Sequence, residues 1–402
     1  MDKTRLQKIE EGFEEAFGSS VGSDGPVSII SAPGRVEILG NHTDHQLGMT
    51  ISCAIGLDTL GAARRNSLNQ IRLYSEGYNP SMVHLSDLGR DRASKGTSRA
   101  LIRGVADGFS KRGYKIGGFD AWLASDVPKG SGLSSSASFE AWVASAFSQL
   151  YCDGGINPVD IAKICSYAEN VHFGKPSGMQ DQMASALGGI LFLDFSDPED
   201  PSYQRIENTL QGYSLCIIES GAEHSGLTDH YSAITRDLGQ IAAFFGKDVM
   251  GHVGQAEFME SMPALREKFG DRATLRAMHI YSENRRALKA KAALESGDMD
   301  LFFQMVKDSG KSSFAYLQNV IVPGETRHQD LAVAVSLAEE LLEGRGACRI
   351  QGGGFAGAAE AFVPDDILPE FTDGVDKVFG QGSCRALSIR LSGAGLAEGQ
   401  SS

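Results

Sequence analysis

The sequence predicts an α+β protein of two domains, and three observations carry that expectation. The chain is 402 residues long, enough for two substantial cores. Short apolar runs alternate with longer segments of helical periodicity. An Asp- and Pro-rich stretch over 194–202 reads as a linker between two such sets. The expected division is therefore 1–197 and 198–402.

The elements follow from the pattern in order. Leu6, Ile9, Phe13, Ala16 and Phe17 share one helical face within 4–19. A strand over 27–31 is expected to end at the Pro33-Gly34 turn, and 50–60 reads as the next strand. Residues 71–74 and 82–85 are strand-like, 98–109 helical, and 119–124 a strand leading into a Gly/Ser turn. Helices over 136–151 and 158–171 come next, then apolar strands over 189–194 and 213–219. The rest reads as helices over 229–245, 272–295, 299–309 and 328–344, with strands over 347–350, 360–362 and 386–391.

Composition narrows the function classes. Hydrophobic residues are 42% and charged residues 22%, the balance of a globular chain. A net charge of -14 argues against nucleic-acid binding. No apolar run approaches the roughly 20 residues of a membrane span. The polar start Met1-Asp2-Lys3-Thr4-Arg5 is unlike a secretory signal. Six cysteines without a CxxC pair are expected as free thiols, which suits a cytoplasmic protein. A monomer or weak homo-oligomer is expected.

The segment Val127-Pro128-Lys129-Gly130-Ser131-Gly132-Leu133-Ser134-Ser135-Ser136-Ala137-Ser138 carries the most chemistry. Its small residues allow close backbone approach, and the turn opens directly into a helix N-terminus. Unpaired N–H groups and the helix dipole favour phosphate there. It is not a Walker A loop, because Lys129 precedes the turn and no Gly-Lys-Ser/Thr closes it. Alone, it reads equally well as a Ser-rich helix cap.

Three further segments change that balance: Ala32-Pro33-Gly34-Arg35-Val36 through Leu39-Gly40-Asn41-His42-Thr43-Asp44-His45-Gln46, Gly178-Met179-Gln180-Asp181-Gln182, and Gly352-Gly353-Gly354-Phe355-Ala356-Gly357. With the Ser-rich turn, they resemble the signature motifs of the small-molecule kinases that include galactokinase, homoserine kinase, mevalonate kinase and phosphomevalonate kinase. Within that group the sugar segment is most similar to the galactokinase branch. The resemblance implies an N-terminal mixed α/β domain and a C-terminal α+β ferredoxin-like domain. It implies transfer of the γ-phosphoryl of ATP to carbon 1 of galactose, with Mg²⁺.

Roles follow from the same resemblance. Asp181 would be the base and Arg35 its positive partner. Arg35, Asn41, His42, Asp44, Asp181 and Tyr231 would surround the sugar. Gly130, Ser131, Gly132, Leu133, Ser134, Ser135 and Ser136 would cradle the phosphates, and Ser136 with Glu169 would hold the metal. The plain alternatives are a structural Arg35–Asp181 ion pair, a capping Ser136 and a solvated Glu169.

Two departures bear on the substrate. Asn41 stands where galactokinases carry a Glu that bonds the hydroxyl at carbon 6, and Asn can still donate to and accept from a hydroxyl. Losing that charge, together with Asp44-His45-Gln46, also resembles galacturonate kinases, so a uronic acid stays open as acceptor. His42, His45 and His224 are candidate cation or hydrogen-bond partners for such an acceptor, with neutral structural histidines as the alternative. The stretch 97–105 resembles the adenine-facing segment but has no Trp or Tyr, and Gly310-Lys311-Ser312 reads as a helix interruption at the cleft. A binding protein that had lost catalysis and a family member acting on mevalonate or homoserine are the competing classes; Asp181 and the serine run argue against the first, and His42-Thr43-Asp44 against the second.

Overall fold

The computed structural model describes residues 3–18, 23–175, 177–207, 210–222 and 226–397. Helix α1 (Lys3–Phe17) lays Ile9, Phe13 and Phe17 against Ile29, Leu60 and Ala62 of the first two strands. Those strands, β1 (Ser23–Leu39) and β2 (Met49–Asn66), form the long antiparallel pair on which the site is built. β3 (Gln70–Ser75) and β4 (Ser81–His84) form a hairpin, followed by α2 (Ser98–Lys111) and β5 (Phe119–Ser125). Then come α3 (Ser135–Tyr151), α4 (Pro158–Tyr167), α5 (Gln180–Leu187), β6 (Ile190–Asp194) and β7 (Ser202–Ile206). Helices α2 to α5 cover one face of this sheet, burying Phe109, Trp142 and Phe147 against Phe119 and Leu123.

Two expectations are corrected here. Pro33-Gly34 does not end the strand: β1 continues through it, with a register shift between Pro33 and Arg35. Gly34 is needed because a Cβ there would lie 2.9 Å from the Leu133 carbonyl oxygen. The Arg35 N–H donates to that same oxygen at 3.1 Å, tying β1 to the phosphate turn. The 194–202 stretch is not a linker but the tip of the β6–β7 hairpin, with Asp194 paired to Ser202. Asp197 accepts from the Glu199 and Asp200 N–H groups, as short polar side chains do in turns.

The second half begins with β8 (Tyr213–Glu219). Five helices follow: α6 (Thr228–Phe244), α7 (Gln255–Phe269), α8 (Asp271–Ser296), α9 (Met299–Ser312) and α10 (Asp330–Leu342). β9 (Ala347–Ile350), β10 (Ala358–Pro364), α11 (Leu368–Phe379) and β11 (Cys384–Leu387) complete it. The four strands run antiparallel in the order β11-β8-β10-β9, the ferredoxin-like arrangement, with α10 and α11 packed on one face. The final strand β12 (Gly395–Leu396) returns to pair with β1, so β7 and β12, both beyond residue 198, complete the first sheet. Gly310-Lys311-Ser312 lies within α9; the irregularity is a π turn just after it, Ser313–Leu317.

Candidate active site

Hydrogen bonds bring the phosphate turn, the sugar segment, the start of α5 and the Gly-rich turn after β9 together. Arg35 projects from β1, and its Nε donates to Asp181 Oδ1 at 2.6 Å. One guanidinium nitrogen of Arg35 also donates to the Gly132 carbonyl, and Ser134 Oγ donates to Asp181 Oδ2. Ser134 caps α3 in the left-handed region, φ 61°, an uncommon conformation for a residue with a side chain. Burial alone would raise the Asp181 carboxyl, but Arg35 and the Ser134 hydroxyl outweigh it and hold the pKa below the usual value. Asp181 is therefore a half-buried, oriented carboxylate.

Asp44 stands beside it. Its Oδ1 accepts the His45 N–H at 2.8 Å. Burial, then the Asp181 and Glu37 carboxylates, push its pKa up to about 7. A Cβ on the facing Gly178 would collide with the Asp44 carboxylate as it is placed here, so that position leaves room for the carboxylate.

The histidines form a directed chain. The Met250 N–H donates to Gln46 Oε1 at 3.0 Å, which leaves Gln46 Nε2 to donate to His45 Nδ1 at 2.9 Å. His45 Nε2–H then donates to His42 Nδ1 at 3.0 Å, and His42 Nε2–H points to the Gly353 carbonyl at 3.3 Å. Burial, assisted for His42 by His45, lowers these imidazoles to about 3 and 4, so both rings are neutral. Tyr231 reaches the same turn, donating from its hydroxyl to the Gly354 carbonyl at 2.6 Å. A Cβ on Gly353 would sit 2.9 Å from the Tyr231 ring and 3.9 Å from His42 Nε2, which locates the two side chains together.

Asn41 departs from its expected role. It is fully buried, and its Nδ2 donates to Glu37 Oε1 at 2.8 Å and to the Gly352 carbonyl at 2.5 Å. Its Oδ1 accepts from Asn319 Nδ2 at 2.8 Å. Both amide hydrogens are committed within the protein, so Asn41 ties the sugar segment to the Gly-rich turn and is not placed to donate to a sugar. His224 lies outside the described residues.

Gly130, Ser131, Gly132, Leu133, Ser134 and Ser135 form the turn and the entry to α3, with Ser131 Oγ closing it on the Pro128 carbonyl at 2.9 Å. Ser136 Oγ donates to Glu169 Oε1 at 3.1 Å. Glu169 comes from a π turn, Ala168–Phe173, that follows α4. Among the described residues, no three His, Cys, Asp or Glu side chains gather as a metal cluster. The Ser136–Glu169 pair instead offers two oxygens of the kind a hard cation takes alongside phosphate and water.

Several residues escaped the sequence reading. Arg349 Nη1 donates to the Glu37 and Ile38 carbonyls at 3.2 and 3.0 Å, and the guanidinium pairs with the Glu37 and Glu360 carboxylates at 3.3 and 3.6 Å. Gln351 accepts the Glu37 N–H and donates to the Gly132 carbonyl, both at 3.1 Å. Glu283 accepts from the Gly40 N–H at 3.0 Å, and His279 lies 2.9 Å from the Asn41 carbonyl. The signal for Arg349 and Glu360 was present: each is a charge inside an apolar strand run, paired across β9 and β10.

Residues 100–189 match the GHMP kinases N terminal domain, and residues 11–65 match the galactokinase galactose-binding signature. The chain is 30% identical to the galactokinase of Streptomyces coelicolor, over 94% of both chains. It is 30% identical to that of Clostridium acetobutylicum, over 92% of both. Its fold is like that of Lactococcus lactis galactokinase complexed with galactose, with a TM-score of 0.82 at 24% identity, covering 98% of this chain and 100% of that one. The Methanococcus jannaschii mevalonate kinase has a similar fold, with a TM-score of 0.62 at 16% identity, covering 91% and 99%. The expected α+β small-molecule kinase fold is thereby met, and the chain belongs to the galactokinase family of the GHMP kinases.

Proposed function

We propose that this chain transfers the γ-phosphoryl group of ATP to the carbon-1 hydroxyl of galactose. The observation that carries this reading is the hydrogen-bonded Arg35–Asp181–Ser134 constellation, set where the phosphate turn meets the sugar segment in a chain of this family. Asp181, held ionised, takes the proton from the sugar hydroxyl as that oxygen bonds to the γ-phosphorus. The bond from phosphorus to the β-phosphate bridging oxygen breaks, and its electron pair leaves with ADP. Arg35 orients the carboxylate and stabilises negative charge developing on the attacking oxygen.

Backbone N–H groups over 130–136 and the α3 N-terminus suit the phosphates. Ser136 and Glu169 would hold Mg²⁺, which neutralises phosphoryl charge when bound. Asp44, His42 and Tyr231 suit sugar hydroxyls. Because His42 and His45 are neutral, they offer hydrogen bonds but no counter-charge, which favours galactose over galacturonate. The six cysteines are free thiols, in keeping with a reducing cytoplasm. We take the enzyme to act as a monomer or weak homo-oligomer.

A coupled ADP-release assay with Mg-ATP and a panel of sugars tests this reading. Galactose should give the highest kcat/KM. A tenfold preference for galacturonate would replace the acceptor, and turnover of no sugar would sink the kinase assignment.

A further inference from the structure

Glu169 is buried, with its side chain 2% exposed, yet a half-exposed ammonium rests on it. Lys175 Nζ lies 3.1 Å from Glu169 Oε1, the same oxygen that accepts from Ser136. The other oxygen accepts from Ser177 Oγ at 2.6 Å and from Gln182 Nε2 at 2.9 Å. Four donors thus fill the four lone-pair directions of one carboxylate. Ser177 and Gln182 fix Oε2, so the group cannot rotate to present a fresh oxygen. Any cation that binds Glu169 beside the phosphate turn must take Oε1, and there it meets Lys175.

A divalent ion and an ammonium cannot share one oxygen without strong like-charge repulsion. Of the two donors on Oε1, Lys175 is the one free to leave. Its side chain is 55% exposed, it carries a flexible four-carbon stem, and it follows the left-handed Gly174 that ends the π turn. Ser136 is fixed in the first turn of α3. When the ammonium leaves Oε1 it stays in the field of the Asp181 and Glu140 carboxylates, and a nucleotide phosphate seated on the same turn would add a further anion there.

We propose that Lys175 holds the cation position on Glu169 in the resting enzyme, yields it to the nucleotide's metal ion, and moves onto the phosphate oxygens. This rests on the kinase reading above. In the resting state the ammonium cancels a carboxylate that would otherwise repel incoming ATP. With the metal bound, the same ammonium adds a positive charge next to the transferring group. An inert surface ion pair is the alternative, and such pairs often contribute little.

The test is binding of Mn²⁺ alone to nucleotide-free protein, with free ion counted by electron paramagnetic resonance. Lys175→Met should tighten Mn²⁺ by about tenfold, while Lys175→Arg, which keeps the charge, stays near the parent. Lys175→Gln serves as a second neutral variant should the Met variant fold poorly. Glu169→Gln should remove Mn²⁺ binding from the parent and from the neutral variants. In EDTA, metal-free ATP should bind Lys175→Met at least about threefold more weakly than the parent.

A Mn²⁺ gain below threefold, no measurable Mn²⁺ binding in any variant, or binding that survives Glu169→Gln would overturn the competition. Unchanged metal-free ATP affinity would overturn the move onto phosphate. Failure of the kinase reading registers elsewhere, as absence of sugar turnover by the parent, and leaves the Mn²⁺ comparison interpretable.

Discussion

Arg35 and Asp181 are 146 residues apart in sequence and joined by a 2.6 Å hydrogen bond from Nε to Oδ1. The contact exists because β1 passes through Pro33-Gly34 without turning, which brings Arg35 under the phosphate turn, while Asp181 opens the first turn of α5. Each end is then fixed a second time, Arg35 by the Gly132 carbonyl and Asp181 by Ser134. The pair is a structural tie, and in the reaction proposed above it is also the proton acceptor with its orienting cation.

Asp181→Asn separates those roles. The amide keeps the shape but cannot take a proton, so kcat should fall by about 10²- to 10⁴-fold with sugar and nucleotide binding largely retained. Because the Asp181 pKa is held below its usual 3.8, the parent should show no loss of kcat from this group between pH 5 and 8. Steady-state kinetics with equilibrium binding of both substrates checks it. Turnover within a few-fold of the parent would mean that Asp181 is not the base.

Asp44 should make stability depend on pH in the opposite sense from an ion-paired carboxylate. Its folded pKa is raised to about 7 from 3.8, so between those values the folded protein holds a proton that the unfolded chain releases. That contribution is complete below the unfolded value, falls as pH rises through the window, and is gone above about 7. Asp44→Asn removes the titration. Its melting temperature relative to the parent should therefore rise from pH 4 to pH 7 and then level off. A difference that is flat across that range would remove Asp44 as the source.

Asn41 is the position where the structure offers a role other than the expected one. Asn41 was expected to meet a carbon-6 hydroxyl, yet its amide hydrogens already go to the Glu37 carboxylate and the Gly352 carbonyl. Asn41→Glu would set one buried carboxylate against another and remove both donated bonds. It should destabilise the fold by about 3 kcal/mol, measured by chemical denaturation. Asn41→Glu with unchanged stability and improved galactose turnover would restore the direct sugar contact.

Local chemistry was legible in the sequence, and long-range burial was not. The Gly/Ser turn into α3 could be read from its residue types, whereas Arg35, Asp181, Ser136 and Glu169 were singled out through the family resemblance, and the structure brings Arg35 to Asp181 and Ser136 to Glu169. Helices α6, α8, α9 and α10 were readable from periodicity. α7 and α11 were missed: the first buries only Phe258 and Leu265, and the second only Phe371 and Val375, too few apolar anchors to stand out. The linker expectation failed because Asp and Pro mark a hairpin tip as readily as a domain boundary. Asn41 could not be read at all, since its role depends on Glu37, Gly352 and Asn319 meeting across more than three hundred positions of chain.

Arg349 gives the test of how the two halves support the site. It extends from β9 in the second sheet, fully buried, and donates to the Glu37 and Ile38 carbonyls of β1 in the first. Glu37 in turn accepts from Asn41 on the sugar segment and from Gln180, the residue before Asp181. Removing the guanidinium leaves two β1 carbonyls without this donor and the Glu37 carboxylate without its cation. Arg349→Met should therefore cost about 3–5 kcal/mol in denaturant unfolding. Its sugar KM should rise more than its ATP KM, because Glu37 accepts from Asn41 on the sugar segment while the proposed nucleotide site is the turn before α3. Equal changes in both constants would show Arg349 to be a general core tie with no particular hold on the sugar side.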